Sequence, residues 1–97
     1  NSSEKFTQVL QPGFYVQHTA RPSKELAEEL KNKFPSLSNS LILKLSKTKS
    51  DGHFFVLLSG PFSTLEEAKS FTIREDIPKG TWIRGALGIR PLIMPID

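Results

Sequence analysis

The sequence predicts an α+β domain of the split βαβ type, with the element order β-α-β-β-α-β and a four-stranded antiparallel sheet that carries two helices on one face. The main observation is a series that occurs twice: a segment of alternating apolar residues, a break that contains serine, and an amphipathic stretch. The second observation is the length of 97 residues, which suffices for one such domain. We therefore expect the domain over residues 13–90, a linker stub over 1–12 and a C-terminal tail over 91–97.

The first repeat begins with a predicted strand over residues 14–19. A helix is predicted over residues 24–34, because its apolar residues recur at helical spacing. Ser23 is the expected N-cap and Pro35 ends the helix.

The second repeat contains the pair Ser63 and Glu66, which predicts a capping box at the start of a helix. Apolar residues continue after the last predicted strand but are interrupted by Gly88, Pro91 and Pro95. We expect this last segment to prolong the strand in part and otherwise to pack along the sheet edge. The remaining elements are predicted as a strand over 40–45, a turn over 49–52, a strand over 54–58, a helix over 64–74 and a strand over 81–84.

The formal net charge is +3, which is lower than a dedicated nucleic-acid-binding domain usually carries. The chain has no cysteine, which excludes a disulfide framework and a thiolate metal site. No apolar run is long enough to span a bilayer, and the polar opening at Asn1 is interpreted as a piece of a longer protein whose anchor would lie upstream. We expect a monomer without a cofactor or a bound metal.

Strand alternation predicts which side chains lie opposite the helices. Lys44 joins this outward set if Leu43 and Leu45 face the helices. Such a face is too apolar to meet only water, so it is predicted to bind a ligand unless the C-terminal tail or a neighbouring protein covers it. The outward side chains are predicted to be Tyr15, Gln17, Thr19, Phe54, Val56, Leu58, Trp82 and Arg84.

The chemistry of this predicted face suits a carbohydrate. Trp82 and Phe54 offer flat rings against which the C–H faces of a pyranose can lie, and Gln17 and Thr19 supply hydrogen-bond donors and acceptors. Arg84 can pair with a carboxylate.

At these residues the chain resembles the SPOR family of bacterial envelope domains, over about residues 13–89. It departs from the family pattern at His18, where an apolar residue is usual, and at Ala20, where a small polar residue is common. The final strand resembles that of enterobacterial-type division proteins. The matching pieces, in order, are Phe14-Tyr15-Val16-Gln17, Ser23 to Leu30, Leu57 to Ser63 with its Gly-Pro-Phe-Ser ending, Glu66-Glu67-Ala68 and Trp82-Ile83-Arg84.

The resemblance implies non-catalytic binding of septal peptidoglycan whose stem peptides have been removed. It implies a periplasmic place, as the C-terminal domain of an inner-membrane or envelope protein. The ligand would lie on the open sheet face, at Gln17 and its strand neighbours including Ala20, at Phe54 and at Trp82. Because removal of the stem peptides exposes the lactyl carboxylate of muramic acid, Arg84 is the candidate partner for that charge.

Other classes of function have weaker support. His18 and His53 lack metal-ligand spacing; we expect His18 to be buried and hydrogen-bonded and His53 to lie in a turn. The pair Glu66 and Glu67 is explained by helix capping, so we expect no enzyme. An RNA-binding domain of the RRM type shares the element order, but the third strand lacks the basic-glycine-aromatic signature of that class. A protein–protein docking module remains the other alternative.

Overall fold

The computed structural model describes residues 10–47 and 51–94, which form five strands and three helices. Short 3-10 turns at Pro35–Leu37 and Arg90–Leu92 follow the first and third helices. The predicted linker stub, hairpin turn and tail each lie wholly or partly outside the described residues. The residues concerned are 1–9, 48–50 and 95–97. The elements are β1 (Phe14–Arg21), α1 (Lys24–Lys33), β2 (Leu41–Ser46), β3 (His53–Phe62), α2 (Leu65–Thr72), β4 (Trp82–Gly85), α3 (Ala86–Ile89) and β5 (Ile93–Met94).

The first helix, α1, follows the predicted pattern closely. The Ser23 hydroxyl accepts a hydrogen bond from the backbone N–H of Leu26 at 3.3 Å, which confirms the predicted N-cap. Ala27 is fully buried against the sheet, whereas Leu26 remains 41% exposed. The helix therefore packs through a narrower stripe than its apolar spacing predicts.

The second helix, α2, begins one residue later than predicted. Thr64 is the N-cap, and its hydroxyl accepts from the Glu67 backbone N–H at 3.1 Å. The Glu67 carboxylate accepts in return from the backbone N–H of Thr64 at 3.2 Å. The capping box is thus confirmed in kind but consists of Thr64 and Glu67 rather than Ser63 and Glu66.

The sheet is antiparallel with the strand order β4-β1-β3-β2-β5. The first four strands have the order expected of a split βαβ fold, so the predicted α+β class and topology are confirmed. The predicted number of four strands is wrong. The fifth strand, Ile93–Met94, pairs with Lys44 and Leu45 of β2, so the segment predicted as a tail contributes a strand to the sheet.

The face covered by α1 and α2 contains the fully buried residues Val16 and Leu57. Lys44 pairs with Phe55 on this same face, whereas Leu43 pairs with Val56 and Leu45 with Phe54 on the opposite one. The prediction that Lys44 points away from the helices is therefore wrong. Four further apolar side chains of the described residues are buried without belonging to the opposite face: Ala27, Leu37, Ala68 and Ile77.

The opposite face is covered by residues 86–94, which we call the C-terminal cover. The chain leaves β4 at one edge of the sheet and reaches β5 at the other, so residues 86–92 cross between the two edges on the side without helices. The prediction of an open face is wrong, because this crossing turns the face into a second core. Its buried residues are Leu10, Tyr15, Leu43, Leu45, Val56, Leu58, Ala86 and Ile89, with Phe54, Leu92 and Ile93 packed against them.

Candidate functional site

The predicted binding residues separate into buried and accessible groups. Tyr15, Val56 and Leu58 have no exposed surface, because the C-terminal cover packs on them. The hydroxyl of Tyr15 donates to the backbone carbonyl of Gln11 at 3.0 Å, and burial raises the pKa of Tyr15. These three side chains stabilise the fold and are not available to a ligand.

Thr19 does not share a face with Gln17, as strict alternation predicts. The pairing of β1 with β3 shifts between Gln17 and Thr19, so that Thr19 lies opposite Leu57 on the helix-covered face. Such a bulge inserts one residue and reverses the orientation of the residues that follow. Ala20 consequently takes the place on the predicted face that alternation gives to Thr19, opposite Val56.

One row of paired residues shows how far the cover extends. Trp82 of β4 pairs with Gln17, Gln17 with Leu58, and Leu58 with Leu41 of β2. Along this row the exposed fractions are 55%, 2%, 0% and 37%. The middle of the face is sealed, and an accessible area remains on each side.

The accessible area on the β4 side combines most of the remaining predicted residues. We call Trp82, Arg84, Ala20 and Phe54 the Trp82 flank. Trp82 and Ala20 are exposed, while Arg84 and Phe54 are half-buried. Ala20 occupies the row of the sheet between those of Trp82 and Phe54, because it follows Gln17 along β1 and pairs with Val56 across the sheet.

Arg84 lies two residues after Trp82 in β4, on the same face of the sheet, and its side chain is oriented by a hydrogen bond. Its Nη1 donates to the side-chain carbonyl of Gln17 at 2.9 Å, and Gln17 itself is buried. A guanidinium has five N–H donors, so this bond leaves donors for a ligand while fixing the orientation of the group. Gln17 therefore orients Arg84.

The family comparison bears on the strands and helices that position this flank. The SPOR domain family matches residues 10–74, which is more than half of the chain. This chain belongs to the SPOR family. SPOR domains are peptidoglycan-binding modules found in bacterial envelope and cell-division proteins. No curated protein and no solved structure matches the chain.

The matched part of the SPOR domain ends before β4. It includes Gln17, Ala20 and Phe54, while Trp82, Arg84 and the C-terminal cover lie beyond it. The predicted resemblance to residue 89 is thus supported as far as residue 74.

The residues that anchor the cover were missed by sequence reasoning. The guanidinium of Arg90 donates through Nε and Nη2 to the backbone carbonyl of Leu10, at 2.9 and 2.6 Å. The backbone N–H of Ala86 donates to the carbonyl of Gly13 at 3.0 Å. The spacing of Ala86, Ile89, Leu92 and Ile93 could have predicted the cover, because it indicates one apolar side on a helical segment.

A serine and a histidine also lie in contact on the helix-covered face of this SPOR domain. His18 Nε2 and Ser59 Oγ are 2.7 Å apart, which confirms the prediction of a buried, hydrogen-bonded histidine. Burial lowers the pKa of His18 to about 4, and within the described part of the chain its Nδ1 has no hydrogen-bond partner. A general base needs a pKa near neutrality and a group that orients the ring, and the described part of the chain provides neither for His18.

Within residues 10–47 and 51–94, His, Cys, Asp and Glu side chains form no group of three that could hold a metal ion. The helices described there are too short and too polar to cross a membrane. His53, predicted in a turn, is the first residue of β3 and packs edge-on against Phe55.

Proposed function

We propose that this SPOR domain binds peptidoglycan glycan strands stripped of their stem peptides, without catalysis, through the Trp82 flank. The observation that carries the proposal is Trp82, which is 55% exposed on the same sheet face as the Arg84 guanidinium that Gln17 orients. Tryptophan is enriched at interfaces, because its side chain combines a large apolar ring with a polar N–H.

The flank supplies the contacts that a glycan strand requires. The indole of Trp82 provides a flat apolar surface for the C–H face of a pyranose, and Ala20 leaves room for the ring beside it. Phe54 provides a second, half-buried aromatic edge. Hydroxyl and acetamido groups of the sugar meet the free donors of Arg84.

Arg84 also gives the site a preference for strands without stem peptides. Removing the peptide exposes the lactyl carboxylate of muramic acid, which a guanidinium binds by charge-assisted hydrogen bonds. The bond to Gln17 reduces the number of side-chain conformations that Arg84 must give up on binding, which favours affinity. Gln17 is thus a positioning residue in this proposal.

The proposal extends to the biological role of the domain. As a member of the SPOR family, it would act as a monomer in the periplasm and direct a larger envelope protein to the division septum, where denuded strands arise. The weak positive charge of the chain is compatible with an anionic glycan.

The burial of the central strands weighs against the RNA-binding alternative. RRM domains stack bases on aromatic side chains of the two central strands. Here the corresponding positions on β1 and β3 are occupied by Tyr15, Val56 and Leu58, which are fully buried. For the docking alternative, the most exposed apolar residues are Ile73 and Leu87, and isolated residues of this kind are normal on protein surfaces.

The proposal is tested by titrating the domain with amidase-treated glycan strands, intact sacculi and single-stranded RNA. We expect binding to the treated strands, with Trp82→Ala lowering the affinity by about tenfold or more, in the range found for loss of an aromatic anchor. The matched control is Leu87→Ala, which removes an exposed apolar side chain from the outer surface of the cover. Equal affinity of Trp82→Ala and the unaltered domain would overturn the proposal.

The role of Arg84 has a separate test in the same titration. Arg84→Ala should weaken glycan binding more at low salt than at high salt, because the charge interaction is screened as ionic strength rises. Unchanged affinity at both salt concentrations would remove Arg84 from the site.

A further inference from the structure

The C-terminal cover divides the sheet face into two separate accessible areas. The row that runs from Trp82 through Gln17 and Leu58 to Leu41 is exposed at both ends and sealed in the middle. The next row shows the same boundary, because Ala20 is exposed while its partner Val56 is fully buried. A linear ligand on the Trp82 flank therefore cannot continue over the sealed middle of the face toward Leu41.

The cover is a fixed part of the fold rather than a movable strap. Ala86 and Ile89 are almost fully buried against the sheet, and Arg90 ties the cover to the Leu10 carbonyl by two hydrogen bonds. Lifting the cover would expose Tyr15 and four apolar side chains of the sheet to water, a loss that is large compared with the marginal stability of a small domain.

The remaining space sets a limit on ligand length. Trp82 and Phe54 lie on strands two positions apart in the sheet, and their rows are separated by four residues of β3, from Leu58 to Phe54. With strands about 4.8 Å apart and a rise of about 3.4 Å per residue, the two side chains are on the order of 15 Å apart. This distance accommodates a few sugar rings.

We propose that the C-terminal cover restricts this domain to a short glycan site, which a tetrasaccharide fills and which longer strands do not extend. The inference rests on the proposed function, because it assigns a length to the ligand of the same site. Only a short stretch of the glycan strand then contacts the protein. Among the described residues, Arg84 is the cation that the flank carries, so a single lactyl carboxylate is paired in each complex.

The length limit is tested by calorimetric titration with denuded glycan fragments of two, four, six and eight sugars. We expect affinity to rise from the disaccharide to the tetrasaccharide and then to stay within about threefold, which is the size of the statistical gain from additional equivalent positions. A further rise of about tenfold from four to eight sugars, equal to ~1.4 kcal/mol, would overturn the length limit while leaving the proposed function intact.

A pair of variants locates the fragment on the face. Leu41 lies in the same row as Trp82 but beyond the sealed middle, and it is 37% exposed. Leu41→Ser should therefore leave the affinity for the eight-sugar fragment unchanged, while Trp82→Ala lowers it. A loss of threefold or more in Leu41→Ser would show that the ligand crosses the sheet and would overturn the inference. Absence of binding at every length would overturn the proposed function, and the inference with it.

Discussion

Two amphipathic helices cover one face of the sheet, whereas the other face is covered by a four-residue helix, a 3-10 turn and a two-residue strand. The helices α1 and α2 have side-chain caps, at Ser23 and Thr64, while α3 has none. A helix of four residues has no stability of its own in water, because nucleation costs more than so few hydrogen bonds return. The C-terminal cover is therefore held by its packing and by the anchors at Leu10 and Gly13.

The difference between the two covers shows how an apolar sheet face should be interpreted from sequence. An alternating strand with apolar residues on both sides predicts that both sides are covered, but it does not say by what. Here the second cover comes from a segment that lacks the periodicity of a full helix. The proposed ligand site then lies at the margin of the covered face rather than at its centre.

The largest expected effect comes from removing a buried side chain on each face. Ile89→Ala in the cover and Leu57→Ala on the helix-covered face should each lower the free energy of unfolding by about 2–5 kcal/mol, because each leaves a cavity where a fully buried side chain was. Urea denaturation followed by circular dichroism measures both. Similar losses would show that the two covers contribute to one cooperative fold.

Leu87→Ala is the control for the cover, since Leu87 is 80% exposed on α3. We expect a change within about 0.5 kcal/mol. If Ile89→Ala were equally neutral, the cover would be a loose segment and the sealed face would have to be reconsidered.

The fold could be predicted from the sequence wherever local pattern decides it. The alternation of β3 places Phe55 and Leu57 correctly toward the helices, and Ser23 and Pro35 bound α1. The bulge after Gln17 could not be predicted, because its register depends on pairing with β3 rather than on local composition.

The candidate site was predicted only in part, because some of its features follow from local pattern and others depend on tertiary packing. Trp82 and Arg84 lie on the predicted face, since β4 is short and pairs regularly with β1. The exposure of Tyr15, Val56 and Leu58 was predicted wrongly, because it depends on where the chain runs after Gly85. The predicted orientation of Lys44 was wrong as well. Leu43 and Leu45 can face either side of the sheet when both sides are covered, so the pattern does not decide where Lys44 points.

A second effect distinguishes the two faces by their response to pH. The helix-covered face contains His18, whose pKa is lowered by burial from 6.5 to about 4. The unfolded chain then binds a proton that the folded domain does not bind between these values, so stability is retained above pH 6.5 and is lost as the pH falls toward 4. We expect a loss of about 2–3 kcal/mol over that range, measured by urea denaturation at a series of pH values.

His18→Leu should remove most of this pH dependence, even if its stability at pH 7 changes. His53→Gln is the matched control, because His53 is exposed at the start of β3 and the variant should keep the slope. A slope that survives in His18→Leu would mean that other groups cause the acid sensitivity.

A third effect concerns a glycine in β3 that allows close packing beneath the cover. Gly60 has a φ of +140°, and a Cβ there would lie 2.9 Å from the Phe14 carbonyl oxygen and 3.0 Å from the ring of Tyr15. Gly60→Ala should therefore destabilise the domain by about 1–3 kcal/mol. A Cβ at Gly88 in α3 meets no atom within 4 Å, so Gly88→Ala should be nearly neutral. Thermal denaturation measures the stability of both variants. Equal effects would mean that β1 and β3 can separate at Gly60 without loss.

The smallest effect tests the caps that the C-terminal cover lacks. Thr64→Ala removes the hydroxyl that accepts from the Glu67 N–H, and it should lower stability by about 1 kcal/mol. Ser63 precedes this cap, is exposed and resembles a cap in the sequence, so Ser63→Ala should stay within about 0.5 kcal/mol. Comparable losses of stability in the two variants, measured by thermal denaturation, would mean that Ser63 also caps α2. A loss confined to Thr64→Ala would show that α2 depends on its own end groups in a way that α3 does not.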